Sequence, residues 1–206
     1  MANYTLTYFD FPGSRGEECR IALHVSGAAF EDERIVRDAW ATLKPTSPYG
    51  GLPILTVAGK GALAQSNAIL SFVGRAHGLL PTDPWEAARH EAVMCAVEDF
   101  RAQLNPSGRI ADPELKRIAR EEFAAGYLKT WAAAIERQLE ASSEAGPFFG
   151  GAALSVADIK LFIIMRSIID GGIDHVSRTA FVEFTGLSRL YEAVRTDARV
   201  AAWTNR

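Results

Sequence analysis

The chain has 206 residues, 48% hydrophobic and 23% charged, with a formal net charge of −3. That balance fits a folded globular protein with core enough for one large domain or two small ones. Its mild acidity shows no basic stripe, which speaks against nucleic acid as a partner, and no apolar run approaches the ~20 residues of a membrane span.

The first 80 residues alternate strand-like and helix-like pieces. YTLTYF (4–9) is rich in aromatic and β-branched residues and predicts a strand, closed by the turn chemistry of FPGS. SRGEECRIALHVSG predicts a helix, with Ser14 and Glu17 at capping-box spacing and Gly27 at its end. EDERIV (31–36) reads as a second strand. ATLKPTSPYGG (41–51) is too rich in Pro, Gly and Ser for more than a short helical turn. LPILTV (52–57), the AGKG turn and ALAQ (62–65) predict a hairpin, and SNAILSFVGRAHG (66–78) a helix stopped by glycine.

LLPTDPWEA carries two prolines and reads as a linker, placed at 81–86, after which the composition shifts to Ala, Glu, Arg and Leu at helical spacing. Residues 85–104 and 114–141 predict long amphipathic helices, and SVADIKLFIIMRSIID (155–170) a central helix apolar nearly all round. LSRLYEAVR and ARVAAW close the chain as short helices. The fold class is therefore α+β: a βαβ-ββα domain over 1–80, then an all-α domain over 87–206.

Cys19 and Cys95 are far apart, form no CxxC pattern and predict no disulfide, as in a reducing cytoplasm. The four histidines lack ligand-like spacing, so no metal site is expected. MANYTLTYFD has no basic region followed by an apolar stretch, so no secretory signal is expected there.

Three local features point to a ligand. Ser66 and Gln65 stand where a strand passes into a helix, whose leading N–H groups and dipole attract an anion. Ser66 also reads as a plain N-cap, and both readings stay open. Leu52–Pro53 reads by frequency as trans; a cis bond there would turn the Leu52 N–H and C=O towards a bound peptide. Tyr8 ends the first strand, where its hydroxyl can enter a cleft, or its ring simply packs. Ser14, at a helix start, is a competing hydroxyl.

YFDFPGSRGEECRIAL, LKPTSPYGGLPIL and LAQSNAILSFVGR, followed by a helical half, resemble the cytosolic glutathione transferases. Tyr-Phe at the strand end resembles the sigma class, the group of glutathione-dependent prostaglandin D synthase. The resemblance covers essentially the whole chain and implies a thioredoxin-like first domain, with Pro53 as the family's cis-proline. It implies that Tyr8 activates the glutathione sulfur. Trp40 and Lys44 would hold the glycyl end, Leu52 the cysteinyl backbone, and Gln65 with Ser66 the γ-glutamyl group. Arg15 would lie beside the active site, and Asp99 would reach the γ-glutamyl amine across a homodimer. Phe9, Phe11, Gly13, Arg101, Leu104 and Trp203 would line the site of a hydrophobic electrophile. Ser155 and Asp158 match the family's capping box. Glutathione would be a co-substrate, with no bound cofactor.

FDFPGSRG carries one residue more than the sigma pattern, and Gly51 replaces a basic residue frequent in that class. Two alternatives stand beside the tyrosine enzyme. One is a serine-type glutathione-dependent isomerase or reductase using Ser14. The other is a non-catalytic protein of the same fold that binds apolar ligands or serves structurally.

Overall fold

The computed structural model describes residues 3–141 and 145–206. A four-stranded sheet in the order β2-β1-β3-β4 organises its first part. β1 (Tyr4–Phe9) and β2 (Phe30–Ile35) run parallel, joined by helix α1 (Ser14–Val25) as a parallel pair requires. β3 (Ile54–Val57) lies antiparallel to β1 and forms a hairpin with β4 (Gly61–Ala64). Leu6 sits opposite Leu55, and both are buried under the helices. Helix α3 (Ser66–His77) leaves the sheet directly from β4 and ends on Gly78, whose φ of 72° is left-handed backbone that glycine adopts freely.

Three local expectations change. β3 begins at Ile54, two residues later than the alternation suggests, because Pro53 has no N–H to give to the ladder. The Leu52–Pro53 bond is cis, as the resemblance to the glutathione transferases implies. The stretch expected to be irregular contains helix α2 (Arg37–Leu43) at its start and a 3-10 turn (Lys44–Thr46). α2 buries no residue, so it has no apolar stripe to reveal it. The capping box expected at Ser14 and Glu17 does not form. Gly13 is the N-cap of α1 without a side-chain bond, Ser14 turns its hydroxyl to Tyr8, and Glu17 accepts the Trp203 indole N–H at 2.7 Å.

The rest is helical. α4 (Pro84–Leu104) starts within the expected linker, because Asp83 accepts from the Glu86 N–H at 2.9 Å and Pro84 suits the first turn. The single long helix expected over 114–141 is two, α5 (Pro113–Phe123) and α6 (Lys129–Glu140), joined by a π turn over Ala124–Leu128. Buried Phe123 and Leu128 are five residues apart, a spacing the wider turn places on one face. α7 (Val156–Ile169) is capped by Ser155 and Asp158 in a complete capping box and is buried over most of its length. α8 (Thr185–Thr196) and α9 (Ala198–Thr204) follow it. α7 packs against α1, α3, α4 and α8, so one apolar core runs through both parts of the chain. Among the described residues no helix is long and apolar enough to cross a membrane, and no group of acidic, His or Cys side chains could hold a metal ion.

Candidate active site

Tyr8 stands at the end of β1 with its ring 6% exposed. Phe9 and Phe11 meet that ring at 5.7 and 5.6 Å between centroids. The Arg20 guanidinium lies over it at 5.7 Å and donates to the Phe9 and Phe11 carbonyls, each at 3.0 Å, and to Asp32 at 2.8 Å. A fully buried arginine thus pins the loop that follows the tyrosine. Burial pushes the Tyr8 hydroxyl above the ordinary phenol pKa, while the Ser14 hydrogen bond and the Arg15 and Arg101 charges pull it down without cancelling that rise. Tyr8 therefore keeps its proton at neutral pH and is a hydrogen-bond donor.

Gly16 makes this placement possible. A Cβ there would lie 2.0 Å from the Tyr8 ring. Gly16→Ala is expected to displace the ring and lower stability by about 1–3 kcal/mol, a drop of several degrees in melting temperature. Thermal denaturation and a turnover assay check this; activity per folded molecule should fall with Tm.

Behind Tyr8 lies a network of charges. Arg15 donates to Glu98 through Nε at 2.9 Å and Nη2 at 2.6 Å. Arg101 bridges Glu18 at 2.8 Å and Glu98 at 2.7 Å. Lys160, from α7, donates to Glu18 and Glu98 at 2.6 Å each, and to the Ser66 hydroxyl at 3.2 Å. Burial works to raise the Glu98 pKa, but Lys160, Arg101 and Arg15 overcome it and hold the carboxyl at about 2. Burial likewise disfavours the Arg101 charge, and Glu18 more than restores it. Glu98 and Arg101 are therefore ionised across the physiological range.

The start of α3 is open. Gln65 has a φ of 73°, left-handed backbone that a residue with a side chain rarely adopts, and is exposed. Ser14 (φ 58°) is another such residue, so two of the three non-glycine residues with positive φ among those described flank this site. Neither Gln65 nor Ser66 caps the helix: Ser66 is the first helical residue, 4% exposed, with its oxygen turned to Lys160. The plain N-cap reading of Ser66 is thereby corrected. The leading N–H groups of α3 have no side-chain acceptor. The pairing of Ile54 with Ala64 sets Leu52 and Pro53 beside this terminus. Among the described residues no hydrogen bond uses the Leu52 N–H or C=O.

Trp40 is half-buried with its ring edge-on to Phe9 at 6.4 Å, and Lys44 is exposed at the 3-10 turn. Asp99 is exposed on α4, where its charge acts on Tyr127. A groove of about 470 Å³ runs past Ser14, between Phe11, Pro12 and Gly13 on one side and Ile163, Arg166 and Asp170 of α7 on the other. Phe9 packs on Tyr8 and Trp40 beside it. Three residues expected in this wall lie elsewhere. Arg101 is 4% exposed and held by two carboxylates, and Leu104 belongs to the core. Trp203 packs on His24 and Phe30, with its N–H committed to Glu17. A larger groove, about 650 Å³, lies between Ala124, Leu128 and Val182, and includes neither Tyr8 nor Ser66.

The chain also matches known proteins along its length. Residues 4–75 match the family model described as glutathione S-transferase, N-terminal domain, and residues 98–206 the one described as glutathione S-transferase, C-terminal domain. The chain belongs to the glutathione S-transferase family. It is 44% identical to glutathione S-transferase 1 of Ascaris suum over 110 residues, 53% of this chain and 52% of that protein, so the match spans about half of that relative's length. The crystal structure of the glutathione S-transferase from Ascaris lumbricoides superposes with a TM-score of 0.86 at 30% identity, covering 98% of this chain and 96% of that one. The structure of prostaglandin synthase D of Nilaparvata lugens gives 0.83 at 28% identity, covering 99% and 98%. The four-stranded sheet followed by helices is the thioredoxin-like and all-α arrangement of the family.

Within this glutathione S-transferase fold, Gly16, Glu18, Arg20, Glu98 and Lys160 shape the site without having stood out in the sequence. Lys160 did leave a signal: it is a cation in the first half of a largely apolar helix whose other cation, Arg166, lies in the last turn.

Proposed function

We propose that this protein transfers glutathione to hydrophobic electrophiles, with Tyr8 holding the glutathione sulfur as its thiolate. The observation that carries this reading is the buried, proton-bearing Tyr8 hydroxyl at the start of α1, with Arg15 and Arg101 contributing positive potential. A free cysteine-like thiol, pKa ~8.5, is only a few per cent ionised at pH 7. Lowering it by about two units needs roughly 2.7 kcal/mol of preferential stabilisation of the anion. One hydrogen bond to a charged acceptor, about 1.5–3 kcal/mol, with the helix terminus and Arg15, supplies that. The thiolate then attacks an electrophilic carbon of a substrate lying in the groove beside Phe11, Gly13 and Ile163, and the C–S bond forms as the leaving group departs with its electron pair, halide in the case of an aryl halide.

On this reading Gln65, Ser66 and the open end of α3 hold the γ-glutamyl group. Leu52 pairs its free main chain with the cysteinyl residue beside Pro53, and Trp40 and Lys44 approach the glycyl end. Residues 1–80 are then the glutathione-binding domain, 81–86 the connection and 87–206 the helical domain. Asp99, exposed on α4, is assigned to the γ-glutamyl amine of a ligand held by a second copy, which makes a homodimer part of the proposal; the setting is cytoplasmic. Ser14 gives a second reading its basis, because its hydroxyl acts on that of Tyr8 and the residue lines the groove. In that reading Ser14 activates the sulfur and Tyr8 only orients it.

The test is retention on immobilised glutathione together with turnover of a generic aryl halide. Retention with conjugation supports the transferase. Retention without turnover leaves a binding protein, and neither outcome with intact folding removes the glutathione reading.

A further inference from the structure

Lys160 is a charge in excess. Glu18 and Glu98 are already satisfied by Arg101 and Arg15, a balanced set of two cations and two carboxylates. The fold nevertheless buries a third cation among them, with its side chain 0% exposed. Taking a charge out of water is costly, and here the protein supplies no third anion in contact with it. Lys160 is an ammonium with three donors and no acceptor. Two of its donors go to Glu18 and Glu98, and the third to Ser66 Oγ. Ser66 must therefore accept from Lys160, which commits its own hydroxyl proton to another acceptor. No hydrogen bond among the described residues uses that proton, and the helix terminus it adjoins lacks a side-chain cap.

We infer that Lys160 is a positioning residue for the α-carboxylate of the γ-glutamyl group, holding Ser66 Oγ so that its proton points to the ligand and supplying the buried counter-charge that the carboxylate neutralises. This rests on the proposed glutathione reading. Ser66 is the contact and Lys160 acts through it from α7, so the helical half of the chain takes part in gripping the tripeptide. With the carboxylate bound, three cations face three anions.

Isothermal titration and steady-state kinetics of the whole protein test this with two probes. One is glutathione; the other is γ-aminobutyryl-cysteinyl-glycine, which lacks only that carboxylate. Lys160→Met leaves the balanced quartet in place, and Lys160→Gln keeps a donor without the charge. Both are expected to weaken glutathione roughly 10- to 100-fold, seen in Kd and KM more than in kcat, and to change binding of the analogue by less than about threefold. In a Ser66→Ala background the Lys160 substitutions should add little, because the two act as a unit. Equal weakening of both ligands, full additivity with Ser66→Ala, or failure of both variants to fold would reduce Lys160 to a domain brace and overturn the inference. If the wild-type protein binds glutathione and rejects the analogue but the variants do so equally well, only the role of Lys160 fails. If the wild-type protein binds neither, the proposed function fails with it.

Discussion

Tyr8→Phe is expected to slow conjugation at neutral pH by roughly one to two orders of magnitude while leaving glutathione affinity nearly unchanged. The phenyl ring still fills the space between Phe9, Phe11 and the Arg20 guanidinium, so the loop keeps its shape and only a donor is lost. The missing hydrogen bond acts on the thiolate and not on the thiol, so the bound sulfur should ionise at higher pH in the variant. The sign of the pH dependence follows. Below the pKa of the free thiol the wild type has the thiolate and the variant does not, so the deficit is greatest there. As pH rises through ~8.5 the variant ionises unaided and the two rates converge. Ultraviolet titration of the bound thiolate and pH–rate profiles check this. Full activity in Tyr8→Phe with loss in Ser14→Ala would transfer the role to the serine.

Asp158→Ala is expected to cost about 3–5 kcal/mol, or roughly 10 °C in Tm. One fully buried carboxylate accepts from the Phe149 N–H at 2.7 Å, the Ser155 N–H at 2.8 Å and the Ser155 hydroxyl at 2.6 Å. Alanine removes the acceptor that Asp158 offers to two buried backbone donors, at about 1–3 kcal/mol each, and uncaps the helix at the centre of the molecule. Asp158→Asn retains one carbonyl and should fall between the two. Denaturant unfolding measures it; a loss under 1 kcal/mol would mean that the chain between Phe149 and Ser155 finds other partners.

Much of the fold was legible because its elements carry local signals. The alternation of YTLTYF, the stopping glycine of α3 and the Ser155–Asp158 spacing each mark a boundary that needs no tertiary information. α2 was hidden because it buries nothing, and the break between α5 and α6 because a π turn repairs the apolar face without a proline to announce it. For the site, residue type and order pointed to Tyr8, Gln65, Ser66 and Pro53. They could not reveal partners brought together by packing. Glu18 and Lys160 are 142 residues apart, and their meeting is a property of how α1 lies on α7. Arg101, Leu104 and Trp203 were misplaced for the same reason: helical spacing says that a side chain faces inward but not what it faces.

The central position of α7 also orders events during synthesis. When the first 80 residues have left the ribosome, α1 and α3 still lack the helix that covers them, because α7 ends at Ile169. The nascent chain must carry that bare apolar flank until about 90 more residues are added, several seconds at ordinary elongation rates. The sheet and its helices form a unit in the finished molecule, yet the flank made by α1 and α3 is covered only when α7 arrives.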